Sequence, residues 1–325
     1  MSRTDAPRAA TVRVPAKVNL ALRVGPPDPD SGYHPLATVF HAVDLCDEVT
    51  VRRARSTSLQ VTGPFREGVP ADPTNLAWRA AELLRENYAR TCGVRRPSPV
   101  AITLEKNIPV AGGMAGGSAD AAGVLLAANE LWGEELTPLD LQDVAAELGA
   151  DVPFGLMGGN ALGLGRGDEL STVLSQGELH WVFCVATAGL RTPDVYRELD
   201  RQLGWDGPPT PETSAARTAA PEPPQELLQA LRTGDPHEIA RHLENDLQAP
   251  ALALQPGLQA TLDAGREVGA VTGLVSGSGP TVALLCESRE HAIDVSVGMA
   301  ALRPEIQVFT ATGPAPGARV VDTRH

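Results

Sequence analysis

Few cysteines and few aromatic residues occur in this chain of 325 residues; aromatics make up only 4%. The core must therefore be built mainly from leucine, valine and alanine. The four cysteines lie far apart, and no two of them have the spacing of a metal site or of a redox pair. This pattern favours a reducing compartment, where disulfide bonds are rare.

Long apolar runs are absent as well. No stretch approaches the roughly 18 apolar residues that a membrane helix needs. Residues 1–10 are polar and do not have the apolar centre of a secretory signal. We therefore expect a soluble, cytoplasmic protein without a membrane partner.

Positive charge is scarce, and the formal net charge is -13. This balance argues against a nucleic-acid binder, which would present a basic face. It does not exclude an anionic small molecule, because clustered backbone N–H groups can outweigh a distant net charge. Only Lys17 and Lys106 are lysines, whereas all other basic residues are arginines. A coding bias explains much of this scarcity, but a site that needs a compact ammonium would also retain lysine.

A glycine-rich segment stands directly before a predicted helix over 118–132. Glycine allows positive φ and close approach of a ligand to the backbone. The helix start adds free N–H groups and the positive end of the helix dipole, which together form an anion site. The segment, called the phosphate loop below, consists of Pro109, Val110, Ala111, Gly112, Gly113, Met114, Ala115, Gly116, Gly117, Ser118 and Ala119.

The alternative for this segment is a tight turn in which Ser118 caps the helix. Four glycines in eleven residues exceed what a cap needs, so the pattern favours a phosphate site. Neither lysine has the neighbours of a P-loop, and the glycine spacing differs from the dinucleotide fingerprint. The charge of Asp120 would oppose a phosphate, so we expect this side chain to point aside and cap the helix.

The remaining pattern predicts two α+β halves, over residues 1–165 and 166–325. A strand over 11–24 alternates apolar and polar residues and places Lys17 and Asn19 side by side on its open face. Residues 155–167 are rich in glycine, and we expect them to be irregular. Residues 207–224 hold six prolines and almost no large apolar side chain, which predicts a mobile insertion.

Three segments together resemble the GHMP kinases, which include galactokinase, homoserine kinase and mevalonate kinase. They are Pro15-Ala16-Lys17-Val18-Asn19-Leu20, the phosphate loop, and Val275-Ser276-Gly277-Ser278-Gly279-Pro280-Thr281. The resemblance implies a ribosomal S5 domain 2-like domain that binds ATP with Mg²⁺, followed by a ferredoxin-like α/β domain. The acceptor would bind between them. The usual Gly-Ser-Ser run is missing from the loop, so no metal ligand is identified.

Two further segments, Gly32-Tyr33-His34 and Gly149-Ala150-Asp151-Val152-Pro153, resemble the members of this family that phosphorylate a cytidine diphosphate-linked polyol. The resemblance implies that Asp151 is the catalytic base and that Lys17 supports it, which suits phosphoryl transfer. It places Lys106, Asn75 and Leu76 with the phosphate loop on the ATP side. It places Asn19, Tyr33, His34, Phe40, Ser276 and Gly277 on the acceptor side.

Alternatives remain for several of these residues and for the function. Asp151 and Asn75 could be helix caps, and Phe40 could be an ordinary buried strand residue. The acceptor could be homoserine or a mevalonate. A sensor that binds ATP without catalysis is a third hypothesis, although such a protein would tend to lose Lys17 or Asp151.

Overall fold

The computed structural model describes residues 7–91, 96–110, 112–133, 136–186, 189–207 and 220–324. Ala111 of the phosphate loop and residues 208–219 of the predicted insertion lie outside the described residues. The strands are β1 Ala9–Val24, β2 Leu36–Arg53, β3 Ser58–Thr62, β4 Val100–Glu105, β5 Asn160–Leu164, β6 Glu169–Thr172, β7 Leu179–Val185, β8 Glu244–Asn245, β9 Thr272–Val275, β10 Thr281–Cys286, β11 Gln307–Gly313 and β12 Arg319–Arg324. The helices are α1 Leu76–Thr91, α2 Gly116–Trp132, α3 Pro138–Leu148, α4 Val152–Met157, α5 Thr192–Leu203, α6 Gln225–Ala230, α7 Pro236–Ala240, α8 Gln248–Leu254, α9 Gly257–Glu267 and α10 Arg289–Leu302.

The first sheet is built around the long antiparallel pair of β1 and β2. Its strand order is β12-β1-β2-β4-β3, and the β5–β6 hairpin joins it through β2. Short β8 pairs with β1 in parallel. Lys17 and Asn19 therefore lie in the middle of the sheet, opposite Ala42 and Phe40 of β2.

Helix α2 lies close to this sheet because its sequence is rich in alanine and glycine. A Cβ atom added at Gly123 would lie 2.7 Å from Val49 Cγ2 and 2.8 Å from Val14 Cγ2. Small side chains thus let the helix approach the sheet closely. The contact places the N-terminus of α2, and the phosphate loop before it, above the centre of β1.

The second sheet has the order β11-β7-β10-β9, and its neighbouring strands are all antiparallel. Helices α9 and α10 pack on it around a separate buried cluster that includes Leu262, Leu284 and Val295. The two sheets with their helices confirm the α+β class.

Several local predictions need correction. Residues 155–167 are not irregular, because 160–164 form β5 by pairing with β2, a long-range contact that local glycine content does not reveal. Helix α5 has an amphipathic pattern that we did not predict. The boundary between residues 165 and 166 falls in the β5–β6 hairpin, so the division into two domains at that point stays a prediction. Within the part of the chain that the structure describes, no helix has the length and apolar character to cross a membrane.

Candidate active site

A cleft of 430 Å³ lies where β1, the phosphate loop, the start of α4 and helix α5 meet. Of the predicted site residues, those that line it are Lys17, Asn19, Phe40, Asn75, Leu76, Lys106, Pro109, Val110, Gly112, Gly113, Ala115, Gly116, Gly117, Asp151 and Gly277. Those that do not are Tyr33, His34, Met114, Ser118, Ala119 and Ser276, and Ala111 cannot be placed. The structure therefore brings most of the predicted residues into one cleft.

Lys17 and Asn19 are buried in this cleft, so the face of β1 that carries them is not open to solvent. Lys17 is 7% exposed, and its Nζ donates to Asn19 Oδ1 at 2.6 Å. Asn19 Nδ2 donates in turn to Thr38 Oγ1 at 2.8 Å, and Thr38 Oγ1 donates to the Ala21 carbonyl at 2.7 Å. This chain of hydrogen bonds fixes where the ammonium of Lys17 points.

Asp151 occupies the N-cap position of α4, but its side chain makes no capping hydrogen bond. The carboxylate is thus left to the cleft, which it lines. Burial lowers the pKa of Lys17 below its usual value, and the negative charge of Asp151 opposes that lowering. Lys17 and Asp151 therefore interact electrostatically in the cleft.

The phosphate loop ends in a helix start that no side chain caps. Helix α2 begins at Gly116, and its N-cap residue is Ala115 at φ 57°, without a side-chain cap. The alternative in which Ser118 caps the helix does not hold, because Ser118 lies inside the first turn, and the prediction that Asp120 caps the helix is wrong. Free N–H groups at a helix start are an anion site, which the glycine pattern predicted.

Backbone and side-chain contacts from three directions hold the phosphate loop. The Lys17 N–H donates to the Met114 carbonyl at 3.2 Å, and Ser276 Oγ donates to the Gly113 carbonyl at 3.2 Å. Lys106 Nζ donates to the Gly116 carbonyl at 3.3 Å. Ser276 thus contacts the loop from behind and does not line the cleft.

The turn at 276–280, which follows β9, closes the cleft from the second half. Asn245 Nδ2 donates to the carbonyls of Val275 and Gly277, both at 2.7 Å. Gly277 has φ +54°, and a Cβ there would lie 3.3 Å from Asn19 Oδ1 and 3.4 Å from Lys17 Nζ. The positive φ favours glycine at this position, and a Cβ atom would press on the Lys17 network.

Lys106 lies between two buried carboxylates. Its Nζ contacts Asp47 Oδ2 and lies 2.7 Å from Asp120 Oδ2, while Asp47 Oδ1 accepts from the N–H groups of Asn107 and Ile108. Burial lowers the pKa of Lys106, but the two carboxylates outweigh it and the net shift is upward. Burial raises the pKa of Asp120 to about 8. Both directions follow from one ammonium shared by two buried carboxylates.

Tyr33 and His34 lie outside the cleft lining, and His34 packs against α5. Tyr33 is 59% exposed, and the Arg166 guanidinium lies 5.4 Å from its ring centroid. His34 Nδ1 donates to the Gly25 carbonyl at 2.8 Å, because a carbonyl only accepts, and Nε2 lies 3.5 Å from Asp200 Oδ1. Both ring nitrogens of His34 thus face protein groups in this state.

Two of the alternatives receive a structural answer. Asn75 does cap α1, since its Oδ1 accepts from the Ala77 N–H at 2.8 Å, yet it also lines the cleft. Phe40 is buried, stacks on Phe154 at 4.9 Å, and has Lys17 Nζ 5.7 Å from its ring centroid. It therefore packs beneath the lysine as well as lining the cleft.

Sequence reasoning missed several residues that line the cleft, above all Thr38 and Tyr196. The ring centroid of Tyr196 lies 5.1 Å from that of His34. Burial raises the pKa of Tyr196, and the charge of Asp151 raises it further. The apolar stripe of α5 could have revealed the helix, but nothing local indicates that Tyr196 faces Asp151.

A magnesium ion is implied by the family resemblance, and the described side chains allow a test of whether it fits. Among them no group of three or more His, Cys, Asp or Glu residues is arranged to hold a metal. Magnesium needs only one or two carboxylates when substrate phosphates supply further oxygens. One buried carboxylate oxygen of the cleft, Asp120 Oδ1, has no hydrogen-bond partner. The residues thus fit an ion held chiefly by ATP, with Asp120 as the side chain available to it.

Comparison with known families matches both halves of the chain. Residues 75–159 match the family described as GHMP kinases N terminal domain, and residues 227–302 match GHMP kinases C terminal. A crystal structure of homoserine kinase from Cytophaga hutchinsonii superposes with a TM-score of 0.72, covering 99% of this chain and 100% of the other. At 20% identity this likeness shows the fold alone.

More similar relatives narrow the assignment. A 4-diphosphocytidyl-2-C-methyl-D-erythritol kinase of Mycolicibacterium smegmatis is 53% identical over 96% of this chain and 92% of its own length. The protein of the same name from Mycobacterium tuberculosis is 52% identical over 96% and 93%. A crystal structure of a 4-(cytidine 5'-diphospho)-2C-methyl-D-erythritol kinase is 35% identical, with a TM-score of 0.67, covering 93% of this chain and 98% of the other. The chain belongs to the 4-diphosphocytidyl-2-C-methyl-D-erythritol kinase family of the GHMP kinases, and it is an ATP-dependent small-molecule kinase.

Proposed function

We propose that this kinase transfers the γ-phosphoryl group of ATP to the 2-hydroxyl of 4-diphosphocytidyl-2-C-methyl-D-erythritol, in the methylerythritol phosphate route to isoprenoids. The expected compartment is the cytoplasm. The observation that carries the proposal is the pairing of buried Lys17 with the uncapped carboxylate of Asp151, in the cleft that the phosphate loop borders. The names of the relatives supply the acceptor.

The side chains support a simple division of labour. Asp151 accepts the proton of the acceptor's hydroxyl group. The oxygen of that hydroxyl forms a bond to the γ-phosphorus of ATP, while the bond between the γ-phosphorus and the oxygen that leaves with ADP breaks. The Lys17 ammonium, oriented by Asn19, stabilises negative charge on the oxygen that attacks and on the phosphoryl group. Free N–H groups at the start of α2 hold the phosphates of ATP. Magnesium, when bound with ATP, neutralises part of the phosphate charge.

Different residues of the cleft lining support the proposed binding of the two substrates. Asn75, Leu76 and the glycines of the phosphate loop line the cleft and would contact ATP. Tyr196 also lines the cleft and packs on His34, the neighbour in sequence of exposed Tyr33, so aromatic faces are available to a cytosine. An edge hydrogen bond from the His34 ring would require Nε2 to turn from Asp200 to the base.

Measurement of ADP release tests this function. Purified protein with ATP and Mg²⁺ should release ADP with 4-diphosphocytidyl-2-C-methyl-D-erythritol, and only background amounts with homoserine, with mevalonate or without an acceptor. Turnover with homoserine or mevalonate, but not with 4-diphosphocytidyl-2-C-methyl-D-erythritol, would contradict the assignment of the acceptor. ATP binding without turnover on any of the three would instead favour a sensor.

A further inference from the structure

We propose that Asp120 Oδ1 is the ligand by which the protein holds the magnesium ion of bound MgATP, and that Lys106 and Asp47 keep this carboxylate in position. The inference rests on the proposed use of ATP. It assigns a metal ligand in a loop that lacks the Gly-Ser-Ser run.

The position of Asp120 is the first argument. Asp120 lies in the first turns of α2, directly behind Gly116 and Gly117, and all three residues line the cleft. Its side chain is 3% exposed, so it is far from bulk water. The carboxylate is thus buried beside the N–H groups where the phosphates of ATP would lie.

Hydrogen-bond accounting shows which oxygen is free for a ligand. An ammonium has three donors, and Lys106 directs them to Asp47 Oδ2, the Gly116 carbonyl and Asp120 Oδ2. Asp47 Oδ1 already accepts from two backbone N–H groups. Of the four carboxylate oxygens in this cluster, Asp120 Oδ1 alone has no partner within the described residues.

The charge of the cluster is the second argument. Asp47 and Asp120 are two carboxyl groups beside a single ammonium, that of Lys106, and all three side chains are almost fully buried. When both carboxyl groups are ionised, the cluster has an excess negative charge, which would repel phosphates at the neighbouring anion site. A cation between Asp120 and the phosphates removes this conflict, and magnesium prefers such oxygen ligands.

Within the described residues, no further side-chain cation is available to Asp120. All three donors of Lys106 are in use, and Lys17 donates to Asn19 and interacts with Asp151. No arginine lines the cleft in the ranges that the structure describes. A cation that arrives with the nucleotide can therefore compensate the ionised carboxylate of Asp120.

Calorimetric titration with ATP, in magnesium and in EDTA, tests the proposal. The wild-type protein should bind MgATP more tightly than free ATP. Asp120→Asn should reduce this preference at least about 10-fold, since even the outer partners of metal ligands are worth about 10- to 100-fold in metal affinity. The same variant should bind free ATP at least as tightly as the wild type, because the amide keeps the shape of the side chain and places no negative charge beside the phosphates.

Asp143→Asn is the control, because it removes an exposed carboxylate on neighbouring α3 that lies outside this cluster. It should leave the affinities for MgATP and for free ATP, and therefore their ratio, at the wild-type values. If Asp120→Asn kept the wild-type ratio of MgATP to free ATP affinity, the proposal would be overturned. An equal loss of affinity for MgATP and for free ATP would overturn it too, because that result indicates a purely structural role of Asp120. Neither result would touch the acceptor assay above, so the two proposals fail separately.

If Asp120→Asn does not fold, cleavage of the wild-type protein by a bound iron ion provides a second test. Fe²⁺ can replace Mg²⁺ on ATP, and hydroxyl radicals generated there cut the chain close to the metal. Cleavage that depends on ATP should fall within residues 116–121. Cleavage confined to other segments would refute the assignment.

Discussion

At the scale of single residues, Asp151 and Lys17 illustrate how the fold brings a carboxylate and an amine into one cleft. Asp151 lies at a helix start but does not use its carboxylate as a cap. Lys17 is held by Asn19, and the charge of Asp151 opposes the lowering of the Lys17 pKa by burial. The ionisation of Lys17 therefore depends in part on Asp151.

Substitution of Asp151 by asparagine should separate catalysis from ATP binding. The amide keeps the shape but cannot accept the proton, and general bases contribute about 10²- to 10⁴-fold. We expect kcat to fall by about that factor while the Kd of ATP changes little, as measured by ADP release and by calorimetry.

Asp143→Asn is the control, since Asp143 is exposed on neighbouring α3. It should leave kcat unchanged. Full activity of the Asp151 variant would remove this carboxylate from the mechanism.

Sequence alone could identify Lys17, Asn19 and Asp151, because each stands in a recognisable motif. It could not identify Thr38 or Tyr196, whose neighbours in sequence show only a strand and an amphipathic helix. Asp120 was expected to cap α2, but a carboxylate is better compensated by the Lys106 ammonium, 14 positions earlier in the chain. Partners of this kind depend on packing between elements, which no local pattern encodes.

At the scale of elements, two glycine-containing turns meet around the Lys17 network. The phosphate loop has positive φ at Gly113 and Ala115, and the turn at 276–280 has it at Gly277 and Gly279. A Cβ at Gly113 would overlap the Ser276 carbonyl oxygen. The close approach of the two turns therefore requires glycine on both sides.

Replacement of Gly277 by alanine should damage the site more than the fold. Positive φ costs a residue with a side chain about 1–2 kcal/mol, and the new methyl group would press on Asn19 Oδ1 and Lys17 Nζ. We expect the free energy of unfolding to fall by about that amount. Because Lys17 is displaced, kcat should fall by at least about 10-fold, a change of about 1.4 kcal/mol in the barrier.

Gly257→Ala is the matched control, because a Cβ there meets nothing within 4 Å. It should leave kcat unchanged. If the Gly277 variant retained wild-type kcat after the same loss of stability, the turn would not position Lys17.

Strand β5 shows why element boundaries could be predicted only in part. Helix α3 begins with a capping box at Thr137 and Asp140, which is a signal that a local sequence pattern can contain. Residues 160–164 have no comparable local signal, and they become a strand because β2 offers a free edge. A helix cap depends on residues that are close together in the sequence. The pairing of β5 requires the free edge of β2, which exists only after β2 has folded.

At the scale of the whole molecule, His41 marks the junction between the two sheets. It lies on β2 of the first sheet, and its ring centroid is 6.0 Å from that of Trp181 on β7 of the second sheet. Its Nδ1 donates to Asn160 Oδ1 at 2.6 Å, and Nε2 has no hydrogen-bond partner among the described residues. Burial lowers the pKa of His41 to about 4, although the bond to Asn160 opposes this shift.

The junction should therefore weaken in acid. Between pH 6.5, the ordinary histidine pKa, and pH 4 the unfolded chain binds a proton at His41 that the folded chain does not. The contribution of His41 to stability is thus complete above pH 6.5 and is lost as the pH falls toward 4, by about 3 kcal/mol in total. Urea unfolding at several pH values measures this loss, to which ordinary carboxylates also contribute.

His41→Leu isolates the contribution of the histidine. The variant should be less stable at neutral pH because Asn160 Oδ1 loses its hydrogen-bond donor. Its stability should, however, fall less steeply between pH 6.5 and 4, by about 3 kcal/mol. Exposed His237→Gln controls for the loss of a histidine as such, and it should follow the wild-type curve. Equal slopes in the wild type and in His41→Leu would show that the junction tolerates a charged imidazole, and that acid sensitivity arises elsewhere.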